Sequence, residues 1–159
     1  MLSWSWISVL VIVLDQMTKI IASSVLTLHQ PVAVLPVFNF TLMHNNGAAF
    51  SFLHNAGGWQ RWFFTVIAIG VSGLIIYWLT KMTKQERWQA IAFCLILGGA
   101  IGNVIDRIYL GYVVDFIEVY YTTHFFPAFN IADSAISIGG AILVLDIIRS
   151  YRKGHAAHG

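Results

Sequence analysis

Four long apolar stretches, at about 4–28, 62–80, 88–106 and 131–149, alternate with more polar links along the chain. Each is close to the roughly 20 residues a helix needs to cross about 30 Å of hydrocarbon. The pattern predicts a mainly α, polytopic membrane protein with four transmembrane helices, built as a single membrane-embedded domain over 1–159. The first stretch carries Asp15 and Lys19 in its interior, without a basic leader or a small-x-small cleavage site. It is therefore read as a permanent span rather than a signal peptide. In the first link, residues 37–44 alternate crudely, with Asn39 and Thr41 on one side and Phe38 and Phe40 on the other. That predicts a short strand, and Asn45-Asn46-Gly47 supplies a turn before the segment 48–53. A small extracytoplasmic β-sheet resting on the outer leaflet is the expected result. The link 111–129 is rich in aromatic residues, which suits the membrane interface.

Composition agrees with this class. Of the 159 residues 58% are hydrophobic and 10% charged, whereas soluble domains sit near 45–50% and 25%. A net charge of +2, without a basic run interleaved with aromatics, gives no reason to expect a nucleic-acid partner. The single cysteine, Cys94, excludes an internal disulfide and lies in an apolar run, where a small core hydrophobe is expected.

Charge also sets an orientation. Lys81, Lys84 and Arg87 lie between the second and third spans, and Arg149, Arg152 and Lys153 follow the fourth. The other two links contribute Arg61 and Arg107. The positive-inside rule then places both termini in the cytoplasm and the links 29–60 and 108–129 outside. Trp4, Trp6, Trp78 and Trp88 fall at one interface and Trp59 and Trp62 at the other, as an aromatic belt requires.

Ionisable residues inside spans are costly and mark candidate sites. At 1.5 Å per residue, Asp15 lies ~16 Å and Lys19 ~22 Å into the first span, and Asn103 ~22 Å and Asp106 ~27 Å into the third. Asn130 and Asp133 stand in the first turn of the fourth. The polar groups thus gather in the outer half. Asp15 and Lys19, four apart, can pair across one helix face and are read as a structural ion pair. Asn103, Asp106 and Arg107 share a face, with Arg107 available to neutralise Asp106, and are read as scaffold or substrate grip. Gly98 and Gly102 permit close helix packing. Asp115 sits among apolar neighbours past the third span, and Asp133 follows Asn130 by three, a spacing that a helix cap alone would explain. Two acids in a partly apolar site cannot both ionise and share a proton. Such a pair can activate water while polarising a carbonyl, as in aspartic proteases. Spacing leaves this as one candidate pair among several.

Five blocks of sequence then match one family in order. They are Asp15-Gln16-Met17-Thr18-Lys19, Asn45-Asn46-Gly47-Ala48-Ala49-Phe50, the run Gly99 to Arg107 containing Gly102-Asn103 and Asp106, Val113-Val114-Asp115-Phe116, and Phe129-Asn130-Ile131-Ala132-Asp133. With these the chain resembles the prolipoprotein signal peptidases, the type II signal peptidases of bacterial membranes. The resemblance implies a membrane aspartic endopeptidase of the bacterial cytoplasmic (inner) membrane whose catalytic acids are Asp115 and Asp133. Its implied substrates are prolipoproteins, cut before a cysteine already carrying a diacylglyceryl group. No cofactor or metal is implied. Asn45, Gly47, Asn103, Asp106, Arg107 and Asn130 are the expected substrate-binding or supporting residues, and the expected partners are lipidated prolipoprotein and membrane lipids, with the enzyme a monomer. The positive end of the fourth span favours charge on Asp133 and leans the shared proton toward Asp115, although the titration of a coupled pair belongs to both members.

Two other classes fit parts of the pattern. A four-span transporter would place its charges nearer the midplane, and an assembly factor would tolerate neutral polar swaps at Asp115 and Asp133. The histidines lie outside the spans without ligand spacing, which disfavours haem or metal. Orientation is open to a direct check. Lys84→Cys is expected to resist a membrane-impermeant thiol reagent in intact cells, and labelling from outside would invert the topology.

Overall fold

The structure, a computed structural model, describes residues 2–47 and 58–156. The segment 48–53 expected to follow the Asn45-Asn46-Gly47 turn, the Ala48-Ala49-Phe50 part of that block, and His54 lie outside the described residues. Four helices, α1 (Trp6–Val25), α2 (Trp59–Lys81), α3 (Arg87–Tyr109) and α4 (Ile131–Ala156), alternate with four strands, β1 (Val32–Leu35), β2 (Phe38–Asn45), β3 (Val113–Tyr121) and β4 (His124–Phe125). All four helices belong to stretches long and apolar enough to cross a membrane. Trp6, Trp59, Trp62, Trp78 and Trp88 project outward near the helix ends, where amphipathic rings meet the headgroups.

The helix α3 is the centre of the bundle. Just over half of its apolar window is buried (56%), against 17–28% for the other three. Small residues make this burial achievable. A Cβ on Gly98 would lie 2.8 Å from the Ser8 carbonyl oxygen of α1, and one on Gly99 would collide with the Ala132 carbonyl oxygen of α4. A Cβ on Gly102 would meet Asp15 Oδ2 at 2.6 Å and Ala132 Cβ at 3.4 Å. Three glycines within five positions thus let two helices approach the same turn of α3. Toward the other end, Ile75, Leu79, Ala90, Cys94 and Leu97 form the apolar core between α2 and α3. Cys94 is fully buried, and its carbonyl accepts a 2.8 Å bond from Ser8 Oγ.

The expected first span ends early. The helix stops at Val25, and Leu26 is extended (φ −102°, ψ 145°). From there Leu28 pairs with Leu42, and the His29 N–H donates to the Leu42 carbonyl at 2.9 Å. Residues 26–28 are apolar enough to prolong a span, but the backbone turns extended at Leu26, whose N–H closes the helix on the Ala22 carbonyl, and Leu28 bridges to Leu42 instead.

The sheet has the order β1-β2-β3-β4, antiparallel throughout. Its central pairing, β2 with β3, joins the two inter-helix links that lie on the same side of the bundle. The register shifts between Phe40 and Met43: Phe40 faces Ile117, but Met43 faces Asp115. Such a bulge bends a strand and re-aims its side chains. Phe40 and Phe116 line one small apolar cavity together with Thr18, Ala22 and Leu26 at the end of α1, where the sheet meets the bundle.

Candidate active site

The polar groups of α1, α3, α4 and β3 converge on one buried network. Its hub is Lys19, 3% exposed, whose Nζ lies 2.8 Å from Asp15 Oδ2 and 2.8 Å from Asp106 Oδ2. Lys19 also donates to Asn103 Oδ1 at 2.9 Å. The i, i+4 pairing of Asp15 with Lys19 is present, and the ammonium bridges α1 to α3 as well. Asp106 therefore takes its ion pair from Lys19 rather than from the adjacent Arg107. Consecutive helical residues do not face each other, and Arg107 turns elsewhere. Its guanidinium reaches the Asn103 and Gly47 carbonyls, each at 3.4 Å, and lies over the Phe64 ring.

Both acids of the ion pairs then reach backbone on other elements. Asp15 Oδ1 accepts the Ala132 N–H at 2.9 Å, placing an anion at the N-terminus of α4, where free N–H groups and the helix dipole favour it. Asp106 Oδ2 accepts the Val114 N–H at 3.0 Å, which fixes β3 directly beside Asp115. Gln16, to which sequence reasoning gave no role, donates to Asp106 Oδ1 (2.9 Å), the Gly102 carbonyl (3.2 Å) and Asp15 Oδ2 (3.2 Å). Its place between the two charged members of the Asp15–Lys19 block was the available signal.

Asn130 sits at the junction and is fully buried. Its Oδ1 accepts the Asp133 N–H at 2.9 Å, so it caps α4 from the preferred position. The same carboxamide donates through Nδ2 to Asp115 Oδ1 at 2.7 Å and to the Val114 carbonyl at 3.2 Å. The chain before it is held to β3, because the Phe116 and Ile117 N–H groups both reach the Phe129 carbonyl and the Phe129 N–H returns to Ile117. Capping thus belongs to Asn130, while the Asp133 carboxylate points to Asn103, whose Nδ2 donates to it at 2.8 Å.

Asp115 is 2% exposed. Its second oxygen accepts from Asn45 Nδ2 at 3.0 Å, and Asn45 Oδ1 in turn holds the Gly47 N–H at 3.0 Å. Burial, and then the negative charge of Asp133, push the Asp115 carboxyl up to about 7, against the opposing pull of Asn45, Asn130 and Lys19. Every expected site residue within the described chain therefore falls in this one network. Beside it, a groove of about 630 Å³, lined by Val119, Phe126, Phe129, Ile136 and Ser137, opens onto Asp133. Among the described residues no three His, Cys, Asp or Glu side chains converge as metal ligands would.

Fold and site together define a four-span membrane protein with a buried cluster of carboxyl groups where its two strand-bearing links meet the bundle. Comparison with known proteins gives the family. The profile of signal peptidase (SPase) II matches residues 7–149, and the chain belongs to that family. It is 59% identical over 145 residues to the lipoprotein signal peptidase of Teredinibacter turnerae, covering 91% of this chain and 86% of that one. It is 52% identical over 160 residues to the lipoprotein signal peptidase of Pseudomonas aeruginosa, covering 99% and 95%. A solved bacterial membrane enzyme structure superposes with a TM-score of 0.83 at 33% identity, covering 94% of this chain and 89% of that chain.

The hub carries a testable consequence. Removing one partner of a buried ion pair typically costs about 3–5 kcal/mol, and Lys19→Ala strands two buried carboxylates. The variant is expected to lose folded yield in detergent more than it loses activity per folded molecule. A fully folded but inactive Lys19→Ala protein would overturn the structural role.

Proposed function

We propose that this peptidase removes signal peptides from bacterial prolipoproteins by an aspartic mechanism in which Asp115 and Asp133 act on one water. The observation that carries the reading is the Asn130 carboxamide, which touches Asp115 with its N–H and the Asp133 backbone with its oxygen. One rigid, fully buried group thereby ties both acids to a common frame. The raised carboxyl of Asp115 supplies the neutral member of the pair. The Asp133 carboxylate takes a proton from the water as its oxygen attacks the scissile carbonyl carbon, and the Asp115 hydroxyl donates to the carbonyl oxygen. The tetrahedral intermediate collapses as the C–N bond breaks: the leaving amine accepts the proton held by Asp133, and one hydroxyl of the intermediate returns its proton to Asp115 as the carbonyl re-forms. Asn103 and Asn130 orient the acids, and Asp106 holds β3 in place. Arg107, Asn45 and Gly47 line the approach and grip substrate.

The apolar groove that Asp133 helps to line suits a hydrophobic signal segment entering sideways from lipid. In this reading the cut falls just before the diacylglyceryl-modified cysteine, whose acyl chains stay in the bilayer. The protein lies in the cytoplasmic (inner) membrane as a monomer among its lipids, with both termini inside and the site toward the outer face. The distribution of Lys and Arg supports that orientation.

The chemistry is tested by cleavage of a lipidated precursor with detergent-purified enzyme. Asp115→Asn and Asp133→Asn are near-isosteric and are expected to fold. Each should lose ~10²–10⁴ in turnover, the usual worth of one acid–base group. The double variant should be little worse than either single one, because groups acting as a unit are non-additive. Chelators should leave the wild type unchanged. Near-normal cleavage by either Asn variant would remove the two-aspartate mechanism.

The pH dependence has a defined sign. Asp133 from α4, Lys19 from α1 and Arg107 from α3 all bear on Asp115. Raising the pH through about 7 ionises Asp115 and removes the proton donated to the carbonyl. A fall in kcat/KM above that range is the expected outcome, and a flat profile to pH 9 would rule out Asp115 as the acid.

A further inference from the structure

A second polar cluster lies in the sheet, outside the network around Lys19. Glu118 on β3 is buried, and its Oε2 accepts from Thr41 Oγ1 at 2.7 Å and from Asn39 Nδ2 at 3.2 Å. Both donors are on β2 and are themselves buried. Among the described residues no cation lies within ion-pair distance of Glu118. A buried carboxylate with only neutral donors is an expensive choice for a strand, where Val or Thr would pack at lower cost. Its geometry suggests what it does there.

β2 and β3 touch the candidate site at one end through Asn45 and Asp115, and carry the Glu118 clamp at the other. Between them lies the register shift from Phe40–Ile117 to Met43–Asp115. A strand that slips by one residue turns its side chains to the opposite face. Across a bulge the alternation of apolar and polar residues no longer selects the register by itself. Asn39 stands directly opposite Glu118, so the clamp fixes β2 on the far side of the bulge. From there Met43, His44 and Asn45 are counted out to the site.

We propose that Glu118 is a positioning residue for cleavage: by gripping Asn39 and Thr41 it fixes the register of β2 on β3, so that the Asn45 amide reaches Asp115. The proposal rests on the reading of Asp115 as a member of the catalytic pair. It separates Glu118 from the acids that do the chemistry, since Glu118 acts through the hydrogen bond from Asn45. That bond favours the ionised form of Asp115 and opposes the effects of burial and of Asp133, while Lys19 and Arg107 provide the nearby positive charge. Losing it moves the proton's release to higher pH.

The experiment is the pH dependence of precursor cleavage by purified Glu118→Ala, Glu118→Gln, Asn45→Ala and the Glu118→Ala/Asn45→Ala double variant. Displacement of positioning groups by about an ångström costs up to about 100-fold, and a 10- to 100-fold fall in kcat is expected for Glu118→Ala. Its basic limb should move to higher pH, as in Asn45→Ala. Glu118→Gln keeps an acceptor oxygen and should stay within a few-fold of wild type. The double variant should resemble Asn45→Ala alone. An unmoved basic limb, or single effects that multiply in the double variant, would make Glu118 a stabilising residue only and overturn the proposal. If Glu118→Ala does not fold, Thr41→Val removes the shorter of the two bonds without changing shape, and it must move the same limb for the proposal to stand. Asp115→Asn in the same assay separates the layers. Normal cleavage by it would defeat the catalytic reading itself, whereas its inactivity together with additive Glu118 effects would defeat only the clamp.

Discussion

The arrangement depends on one buried ammonium. Lys19 is held between Asp15 and Asp106 at 2.8 Å each and donates to Asn103. Each of these three groups goes on to a different part of the molecule. Asp15 holds the first turn of α4, Asp106 holds the start of β3, and Asn103 donates to Asp133. Burying such a charge costs several kcal/mol unless its partners and geometry compensate it. Here three acceptors surround it, and both carboxylates are further satisfied by N–H donors. The energetic return on any single contact is small; what the network secures is that α1, α3, α4 and β3 have one mutual position.

That position demands close approach. A methyl group on Gly102 would sit against Asp15 Oδ2, so the carboxylate can reach Ala132 only because α3 has no side chain at that turn. Gly98 and Gly99 do the same for the backbones of α1 and α4. In lipid there is little hydrophobic drive to press helices together, and close contacts with interhelical hydrogen bonds must do so. The small residues and the charged residues are thus two halves of one packing solution.

Much of this was legible in the sequence, and the boundary of legibility has physical causes. Spans announce themselves by length and apolarity, and all four were readable to within a few residues, the first helix stopping at Val25 rather than running on through 28. Asp15 and Lys19 were readable as a pair because both lie on one helix. The link from Lys19 to Asp106 was not, because spacing along one helix says nothing about its rotation against another. Arg107 looked like the partner of Asp106 for the same reason. The strand β2 followed from alternation, but β1, β3 and β4 did not. The long-range pairing of Asn39 with Glu118 joins links 79 positions apart, and no local pattern encodes that. Asn130 was readable as a cap. Its second use, donating to Asp115, required the return of Phe129 along β3.

The same network bears on why a proton should remain in the proposed pair. Asp15, Asp106, Asp115 and Asp133 converge on two cations, Lys19 and Arg107. Lys19 is committed to Asp15 and Asp106 by direct contact. Arg107 spends its hydrogen bonds on carbonyls rather than carboxylates. The remaining two acids therefore have amides as their closest donors, from Asn45, Asn130 and Asn103. An amide N–H stabilises a carboxylate less than a cation does and leaves like charges to oppose each other in a buried site. Replacing any of these asparagines by a base would satisfy the acids better and ionise both. In the proposed mechanism the amide frame instead keeps the pair oriented and one proton short of full ionisation, the state in which a water between two carboxyl groups can be both deprotonated and directed at a carbonyl.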